Sequence, residues 1–546
     1  MWLDQVNEIS EMFRFSLPYY IAALLPILII LSPADAAHEF PVYRLQHFDL
    51  QGVKYGSRSS ALNFEARSID TKLPARKCVM LVINEFSVSR FRELVNEGVG
   101  AILIIIPADL DSITEDLKEH IVETEKFLLS QEVSIPIFFS PHTQQVDEIY
   151  SNIIESTNKD SAPSAAQALL GSISANGYQL GVSGNQAKIL NDVQISNIQG
   201  KLSGFGVEEQ LQTVAVVAHY DSFGGAPDLS FGGDSNGSGV AALMELVRLF
   251  SRLASQPGQN GLSRFNLVFV LTGGGKLNYL GSKKILEDQL DGVDGGLFQD
   301  TGYVLCLDSL GKGEELNVHV SKPPKEGSKS FTFVENMKNV AGDLFPAVGV
   351  NVQHKKINLA DDFLAWEHER YSIRRLSALT VSHYKAPKSD YHRGTILDTR
   401  SSVDIPALAR NVRILAESLA SQLYNTSGPF FEGDMVTFSV KKKEKNIFKL
   451  LNGKPNPIVH VLQQTMQRYL TDVKVTHLTA DKRDPEFAFY DQTKTIMTAY
   501  SVKPAIFDLF LSGAIAAYIT AVYFGVQQFH LLYSLVTKGL KSKSTT

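Results

Sequence analysis

The chain has 546 residues, of which 44% are hydrophobic and 20% charged, and its formal net charge is −6. This length is too great for one small core and predicts a large domain with attachments, or two to three domains. The composition is that of a globular protein, which excludes long disorder, and the negative charge gives no reason to expect a nucleic-acid partner. The two cysteines, Cys78 and Cys306, lie in apolar runs. We therefore expect buried thiols rather than a disulfide, and no Cys/His cluster has zinc-finger spacing.

An apolar run near the N-terminus, Ile21 to Leu31, has 11 residues. That length suits the apolar region of a signal peptide and is too short to span a bilayer comfortably. Small residues at Ala34 and Ala36 fit a cleavage site, so residues 1–36 are predicted to be a signal peptide. Because acidic residues outnumber Arg14 ahead of the run, an uncleaved anchor remains the alternative.

A second apolar segment lies near the C-terminus. No charged residue occurs from Leu509 to Thr537, and the first part, to Val526, is almost wholly apolar. Eighteen helical residues reach about 27 Å, close to the thickness of the hydrocarbon layer. We predict a transmembrane helix over residues 507–533, and the lysines that follow place the tail, 534–546, in the cytosol.

Two glycosylation sequons agree with a lumenal or extracellular location for the bulk of the chain. Asn425-Thr-Ser lies in a polar connection after a long helix, and Asn236-Gly-Ser lies in a glycine-rich loop. Both asparagines are candidate acceptors. A single-pass membrane protein with a cytosolic tail is the predicted topology.

Residues 38–165 alternate apolar strand runs with helical stretches, which predicts a small α/β lobe with a parallel sheet. A second α/β unit is predicted over residues 172–426. Residues 427–504 are predicted to be a charged connector with an amphipathic helix that begins near Pro457. The apolar positions of this helix favour packing on the core over binding a partner. They are Ile458, Leu462, Met466 and Tyr469.

Five ordered motifs in the second unit carry a family resemblance. They are Val217-Ala-His-Tyr-Asp-Ser222, Gly232-Gly-Asp-Ser-Asn-Gly-Ser-Gly-Val240, Leu305-Cys-Leu-Asp308, Glu367-His-Glu-Arg-Tyr371 and Gly394-Thr-Ile-Leu-Asp-Thr399. Together they resemble the M28-type zinc aminopeptidases over most of residues 172–426. The resemblance implies an α/β fold with an M28 peptidase-like core and a mixed sheet, to which the smaller N-terminal α/β lobe and the C-terminal transmembrane helix are added.

The resemblance also assigns roles to residues of the family's two-metal site. His219 matches the first histidine ligand, Asp234 the aspartate that bridges the metals, and Asp308 a later aspartate ligand. Asp221 matches the carboxylate that orients the first histidine. These four positions keep the family's residue types.

Three other positions of the same site have changed. Gly275 stands where the family has its general base, Lys276 where it has a glutamate ligand, and Gly394 where it has its last histidine. Glycine cannot take a proton, and a lysine ammonium repels a divalent cation. We therefore predict no metal, no cofactor and no catalysis, and we predict that Lys276 pairs with Asp234 or Asp308.

Three further histidines lie near the predicted site. His383 and His392 are close in sequence to the lost histidine, but a lone loop histidine is more often solvated than a metal ligand. His368 matches a family histidine in a helical stretch, where a packing or hydrogen-bonding role is expected.

Segments outside the catalytic motifs are similar to a nicastrin-like branch of this family, found in the endoplasmic reticulum membrane. They are Ala36-Ala-His-Glu-Phe40, Asp484-Pro-Glu-Phe-Ala-Phe-Tyr-Asp491 and Val502-Lys-Pro-Ala-Ile-Phe-Asp508. The resemblance implies a non-catalytic lumenal scaffold in a complex with the nodal modulator protein and a small multi-pass membrane protein. It further implies association with the Sec61 translocon in multi-pass membrane protein insertion, and negative regulation of nodal signalling. Two alternatives remain: a membrane-anchored zinc aminopeptidase with atypical ligands, and a receptor for substrate N-termini in the old cleft.

Overall fold

The computed structural model describes most of the chain between residues 37 and 528. The described residues are 37–160, 177–182, 186–190, 193–206, 211–255, 263–290, 298, 300–361, 363–386, 394–425, 431, 457–479, 485–502 and 505–528. The predicted signal peptide and cytosolic tail lie outside them.

Nineteen strands occur in these residues, in three sheets. The strands are β1 (Ala37–Arg44), β2 (Phe48–Leu50), β3 (Val53–Ser57), β4 (Leu62–Ser68), β5 (Lys77–Val82), β6 (Ala101–Ile106), β7 (Glu132–Val133), β8 (Ile137–Pro141), β9 (Gly177–Val182), β10 (Gln194–Leu202), β11 (Thr213–His219), β12 (Asn266–Thr272), β13 (Thr301–Leu307), β14 (Glu315–Val320), β15 (Gly349–His354), β16 (Ala378–Ser382), β17 (Thr471–Thr479), β18 (Phe487–Phe489) and β19 (Lys494–Val502). The α-helices are α1 (Val88–Asn96), α2 (Glu115–Leu129), α3 (Gln144–Asp160), α4 (Gly239–Ala254), α5 (Leu280–Leu290), α6 (Lys329–Leu344), α7 (His368–Ile373), α8 (Ile405–Tyr424), α9 (Pro457–Gln467) and α10 (Ala505–Gln527).

The N-terminal lobe is a closed sheet in the order β1-β19-β9-β4-β5-β6-β8, with α1 to α3 packed on it. The predicted parallel sheet is present in β4, β5, β6 and β8. The other three strands run antiparallel to their neighbours, so the sheet is mixed. Strand β6 is wholly buried because both faces of the sheet are covered. Its uninterrupted apolar sequence, Ala-Ile-Leu-Ile-Ile-Ile, is the pattern that such burial requires.

The main domain is an eight-stranded sheet in the order β15-β14-β16-β13-β11-β12-β10-β17. Its centre, β12-β11-β13-β16, is parallel. Helices α4, α6, α8 and α9 contribute to the apolar core on one face, and α5 and α7 to the core on the other. The carboxyl ends of the parallel strands therefore meet at one edge, where α/β sheets place their ligand sites.

Residues 427–504 were predicted to be a connector with one helix, but their described part also supplies a strand to each of the three sheets. Strand β17 joins the main sheet, β18 joins a small sheet with β2, β3 and β7, and β19 joins the lobe. The lobe consequently is not the contiguous segment 38–165, because β9 and β19 complete its sheet. Helix α9 does lie where an amphipathic helix was predicted, and Ile458, Leu462 and Met466 are in the main core.

The last helix, α10, has 23 residues and begins two residues before the predicted transmembrane segment. Within the described part of the chain, no helix is both long enough and apolar enough to qualify as a membrane span. The predicted transmembrane helix is therefore not confirmed.

The first prediction concerns the pairing of β19 with β1. Met497 is fully buried in the lobe core, whereas its neighbour Ile496 is 58% exposed on the same strand. We expect Met497→Asp to lower the free energy of unfolding by more than about 3 kcal/mol, because it buries an unpaired carboxylate. Thermal unfolding and limited proteolysis of the purified chain measure this effect. Ile496→Asp is the matched control and should cost no more than about 0.5 kcal/mol; equal effects would contradict the role of β19 in the core.

Candidate functional site

The residues matched to the metal site lie at the carboxyl edge of the main sheet. His219 is the last residue of β11, Asp308 follows β13, and the Gly275-Lys276 pair follows β12. Asp234 lies in the turn that leads into α4. His219, Asp234 and Asp308 are each at most 1% exposed, so all three residues are buried at this edge of the sheet.

The imidazole of His219 lies directly against Gly275. A Cβ atom added to Gly275 would meet Cγ, Cβ and Cδ2 of His219 at 2.3, 2.4 and 2.5 Å. Real Cβ atoms do not approach other heavy atoms this closely, so any larger residue at this position displaces the ring. A side chain at this position, which matches the family's general base, would therefore begin in space that the His219 ring occupies.

The nitrogens of His219 have unequal surroundings. Its Nδ1 lies 3.5 Å from Oε2 of the buried Glu367 and 3.4 Å from the Asn236 amide nitrogen. Its Nε2 is buried and has no hydrogen-bond partner among the described residues. Oε1 of Glu367 accepts hydrogen bonds from Thr272 and Ser282 at 2.7 and 2.6 Å. Glu367 is thus a buried carboxylate of the site whose role the motif match did not assign.

Asp221 holds the turn that follows β12. Its two carboxylate oxygens accept the backbone N–H groups of Gly275 and Lys276, each at 2.7 Å. Gly274, one residue earlier, has a φ of +69°, which favours glycine. These bonds fix the backbone at Gly275, against which the His219 ring packs, and the predicted role of Asp221 in orienting His219 stays a prediction.

Asp234, the predicted bridging aspartate, has both carboxylate oxygens engaged by protein groups. Oδ1 accepts from the Ser238 hydroxyl and the Gly311 N–H, both at 2.8 Å. Oδ2 lies 2.7 Å from Nε2 of His383. His383 thus does reach the site, where it contacts the aspartate.

Asp398 binds the backbone of the same loop. Its carboxylate accepts the backbone N–H groups of Asp234 and Ser235 at 2.8 Å and the Ser402 hydroxyl at 2.8 Å. Burial, together with the nearby charge of Asp234, raises the pKa of Asp398, whereas the N–H donors act in the opposite direction. The Asp234 loop is therefore clamped at its backbone as well as at its side chain.

Lys276 points its ammonium group at this loop. Its Nζ donates a hydrogen bond to the Ser235 hydroxyl at 2.5 Å. Asp308 accepts the Ser309 hydroxyl at 2.8 Å. A direct pairing of Lys276 with Asp234 or Asp308 stays a prediction.

The residues present do not fit the two-zinc centre that the resemblance implies. A bridging carboxylate needs free oxygens, yet those of Asp234 bind a hydroxyl, an N–H and an imidazole. A lysine ammonium stands within hydrogen-bond distance of the adjacent Ser235. Among the described residues, no group of three or more His, Cys, Asp or Glu side chains has an arrangement that could hold a metal ion.

One of the two glycosylation candidates is contradicted by the structure. Asn236 is 1% exposed, and its amide donates to the backbone oxygens of His219 and Leu307 at 3.1 and 2.8 Å and accepts from Ser309 N–H at 3.1 Å. A glycan on this side chain is incompatible with the folded chain. Asn425, in contrast, is exposed at the end of α8 and stays a candidate.

The remaining predicted residues are not brought to the metal-ligand positions. Gly394 is half-buried, and a Cβ there would meet only Phe223, at 3.4 Å. Nδ1 of His368 lies 2.9 Å from the Thr380 hydroxyl, and burial lowers the pKa of His368 to about 3. This is the hydrogen-bonding role expected for that histidine. His392 lies outside the described residues.

A buried contact between the lobe and the site loops was missed by the sequence analysis. Glu125 of α2 accepts the N–H of Gly225 at 2.7 Å and that of Ile396 at 3.2 Å, and it also accepts the Thr395 hydroxyl. Thr395 directly follows Gly394, the position of the family's last histidine. No signal for this contact is present in the sequence, because Glu125 is one of several acidic residues in α2 and nothing in the helical pattern distinguishes it from the others. The former ligand loop thus serves as an attachment point for the lobe.

The second prediction tests the packing of His219 on Gly275. We expect Gly275→Ala to lower the free energy of unfolding by about 2–3 kcal/mol, because the added methyl group overlaps the ring. Gly275→Glu would restore the family's base but meets the same overlap, so it should destabilise at least as much. Differential scanning calorimetry of the purified chain is the measurement. The matched control is Gly342→Ala in α6, where nothing lies within 4 Å of the added atom; it should be neutral or stabilising by up to about 1 kcal/mol.

The third prediction concerns Glu125 and pH. Burial raises the pKa of Glu125 to about 7 from an ordinary value of 4.5. The folded chain therefore favours the neutral carboxyl group. The contribution of Glu125 to the free energy of unfolding is fully present below pH 4.5 and is lost as the pH rises through 7. The loss is up to about 3 kcal/mol. Glu125→Gln should remove this part of the pH dependence in denaturant unfolding between pH 5 and 8, whereas the exposed Glu123→Gln should not.

The three comparisons with known proteins agree with this geometry. The family model for peptidase family M28 matches residues 197–419. The chain is 42% identical to the dog and human proteins named BOS complex subunit NCLN, and the match covers 100% of this chain and 100% of each relative. It is 26% identical to the Caenorhabditis elegans protein named nicalin over 95% of this chain and 96% of that protein.

The similarity to a solved structure concerns the fold alone. The gamma-secretase component nicastrin superposes with a TM-score of 0.58 at 12% identity, covering 84% of this chain and 99% of nicastrin. The fold is therefore an α/β M28 peptidase-like fold with mixed sheets. Because the full-length identity of 42% extends through both the lobe and the main domain, the chain belongs to the family of nicalin, the BOS complex subunit NCLN.

Proposed function

We propose that this protein is a non-catalytic scaffold subunit of a membrane complex of the endoplasmic reticulum. The observation that carries the proposal is the contact of His219 with Gly275, which fills the position of the general base. The relatives named as subunits of the BOS complex support assembly with other chains. On this proposal the chain retains the frame of a peptidase and acts through its surfaces.

The chemistry of the site supports the absence of peptide hydrolysis. Metal-assisted hydrolysis needs a base to accept a proton from water and a cation to polarise the carbonyl. Gly275 supplies no base, and the oxygens of Asp234 are already hydrogen-bonded within the protein. These contacts stabilise the loop and leave no residue in the role of a proton acceptor at position 275.

The partners follow from the same proposal. We propose a complex with the nodal modulator protein and a small multi-pass membrane protein, associated with the Sec61 translocon during the insertion of multi-pass membrane proteins. Restraint of nodal signalling would be an indirect consequence of such a complex.

The proposed topology has the bulk of the chain in the lumen. Residues 1–36 act as a signal peptide, α10 and the residues after it cross the bilayer, and the lysine-rich tail is cytosolic. The uncharged sequence from Leu509 to Thr537 supports this assignment. We propose that Asn425 carries a glycan, since it is exposed on the lumenal side of this topology.

The fourth prediction tests the scaffold proposal on the full chain. After extraction from membranes in mild detergent, we expect the nodal modulator protein, a small multi-pass protein and Sec61 to co-purify with the chain. The same sample should contain no stoichiometric zinc and should not cleave peptides with free N-termini. His219→Asn, which keeps a side chain of similar size, should leave the co-purifying set unchanged, whereas a catalytic role for the site predicts a loss of cleavage in that variant.

Two outcomes would contradict the proposal. Stoichiometric zinc together with cleavage that a chelator abolishes would establish the alternative, a membrane-anchored zinc aminopeptidase with atypical ligands. Purification of the chain without any of the named partners, in a detergent that preserves other membrane complexes, would overturn the scaffold assignment.

A further inference from the structure

The register of β1 and β19 places the start of β1 beside the end of β19. The strands are antiparallel, with Ala37 opposite Tyr500 and Tyr43 opposite Lys494. Neighbouring strands lie about 5 Å apart. The first described residue, Ala37, follows the predicted cleavage site, and β19 ends at Val502, two residues before α10 begins. The start of β1 and the end of the strand that leads into α10 therefore lie side by side.

Helix α3 closes this same end of the lobe. Tyr150 donates to Glu85, which follows β5, at 2.7 Å, and the Asn152 amide donates to the hydroxyl of Tyr178 at 3.2 Å. Tyr178 lies at the start of β9, opposite Ser501 of β19. We call this end the terminal pole: Ala37, Tyr178, Val502 and the outer face of α3.

The main domain is attached at the opposite end of β1 and β19 and also at the connection after β6, where Asp111 accepts hydrogen bonds from the hydroxyls of Thr399 and Ser401. The Arg44 N–H donates to the carbonyl of Thr493 at 2.9 Å, and the Thr493 hydroxyl donates to Asp228 at 2.7 Å. The Gln46 N–H donates to the carbonyl of Gly225 at 2.8 Å. Since β1 has eight residues, it spans about 26 Å between the two ends.

The C-terminal helix does not pack against the body over its described side chains. Ile519, Tyr523 and Phe524 are 60%, 58% and 56% exposed. Only residues 503 and 504 separate this apolar helix from β19, and two residues extend at most about 7 Å. Because this link is short, the end of β19 lies close to the start of α10. The lobe surface at the end of β19 is therefore near the medium in which α10 begins.

We propose that the terminal pole is the surface that faces the lipid bilayer, in contact with zwitterionic phospholipid headgroups. The exposed face of α3 carries Gln144, Glu148, Ser151 and Glu155, which suit the hydrated layer of zwitterionic headgroups rather than the hydrocarbon or an anionic lipid surface. The inference rests on the proposed membrane insertion of α10.

The two natural cysteines make the test selective. Cys78 and Cys306 are fully buried, so a single introduced cysteine is the accessible thiol among the described residues. Ser151→Cys lies on the outer face of α3, at the terminal pole. Glu97→Cys, exposed after α1 and next to the start of β6, lies at the opposite end of the lobe and is the matched control.

Each full-length variant is labelled with a fluorophore and reconstituted into phosphatidylcholine nanodiscs in which some headgroups carry a nitroxide quencher. We expect strong loss of fluorescence for the label at position 151 and little loss at position 97. Equal quenching, or stronger quenching at position 97, would overturn the orientation. Release of the chain from membranes by alkaline carbonate would instead overturn the membrane insertion itself, which separates the two failures.

Discussion

The pairing of β1 with β19 is the constraint on which the rest of the architecture depends. These strands are separated by about 450 residues of sequence, and their contact closes the sheet of the N-terminal lobe. Because β19 is made last, the lobe completes its core only after the main domain has been synthesised. Contacts of such long sequence separation carry a high loop-closure cost and favour late formation. The same pairing sets Ala37 beside the strand that leads into α10.

At the carboxyl edge of the main sheet, protein hydrogen bonds have replaced the contacts that a metal centre would supply. His219 packs on Gly275, Asp221 binds the following backbone, and Asp234 binds a hydroxyl, an N–H and an imidazole. Each buried carboxylate oxygen of Asp234 is thereby satisfied, which avoids the cost of an unpaired buried charge. Glycine at position 275 and the hydrogen bonds of Asp221 and Asp234 therefore belong to the same set of contacts within the protein.

The lobe and the former site are also linked through a single side chain. Glu125 binds the backbone at Gly225 and Ile396, on two loops that flank the matched metal positions. Thr395 and Ile396, which both donate to Glu125, directly follow Gly394, the position matched to the family's last histidine. The attachment of the lobe therefore uses a loop that begins at a position matched to the family's metal site.

Local sequence patterns predicted the elements whose signal lies within a short window. The apolar runs at β5, β6, β11, β12 and β13 and the periodicity of α4, α8 and α9 all indicate the elements that the fold contains. Strands β17 and β19 were missed because they are partly exposed, so their sequences mix polar and apolar residues, and β18 was missed because it has only three residues. Their assignment depends on distant partners, which no local window includes.

For the site, the sequence by itself determined which chemical groups stand at the positions matched to the family's metal site: His219, Asp234 and Asp308 at three of them, and Gly275, Lys276 and Gly394 at the others. Only the tertiary structure decided what the remaining groups do. It brought His383 to Asp234, set Glu367 beside His219 and buried Asn236, which removes that sequon from consideration. The physical reason is that residue identity fixes charge and hydrogen-bonding capacity, whereas partners are selected by packing between strands and loops far apart in the chain.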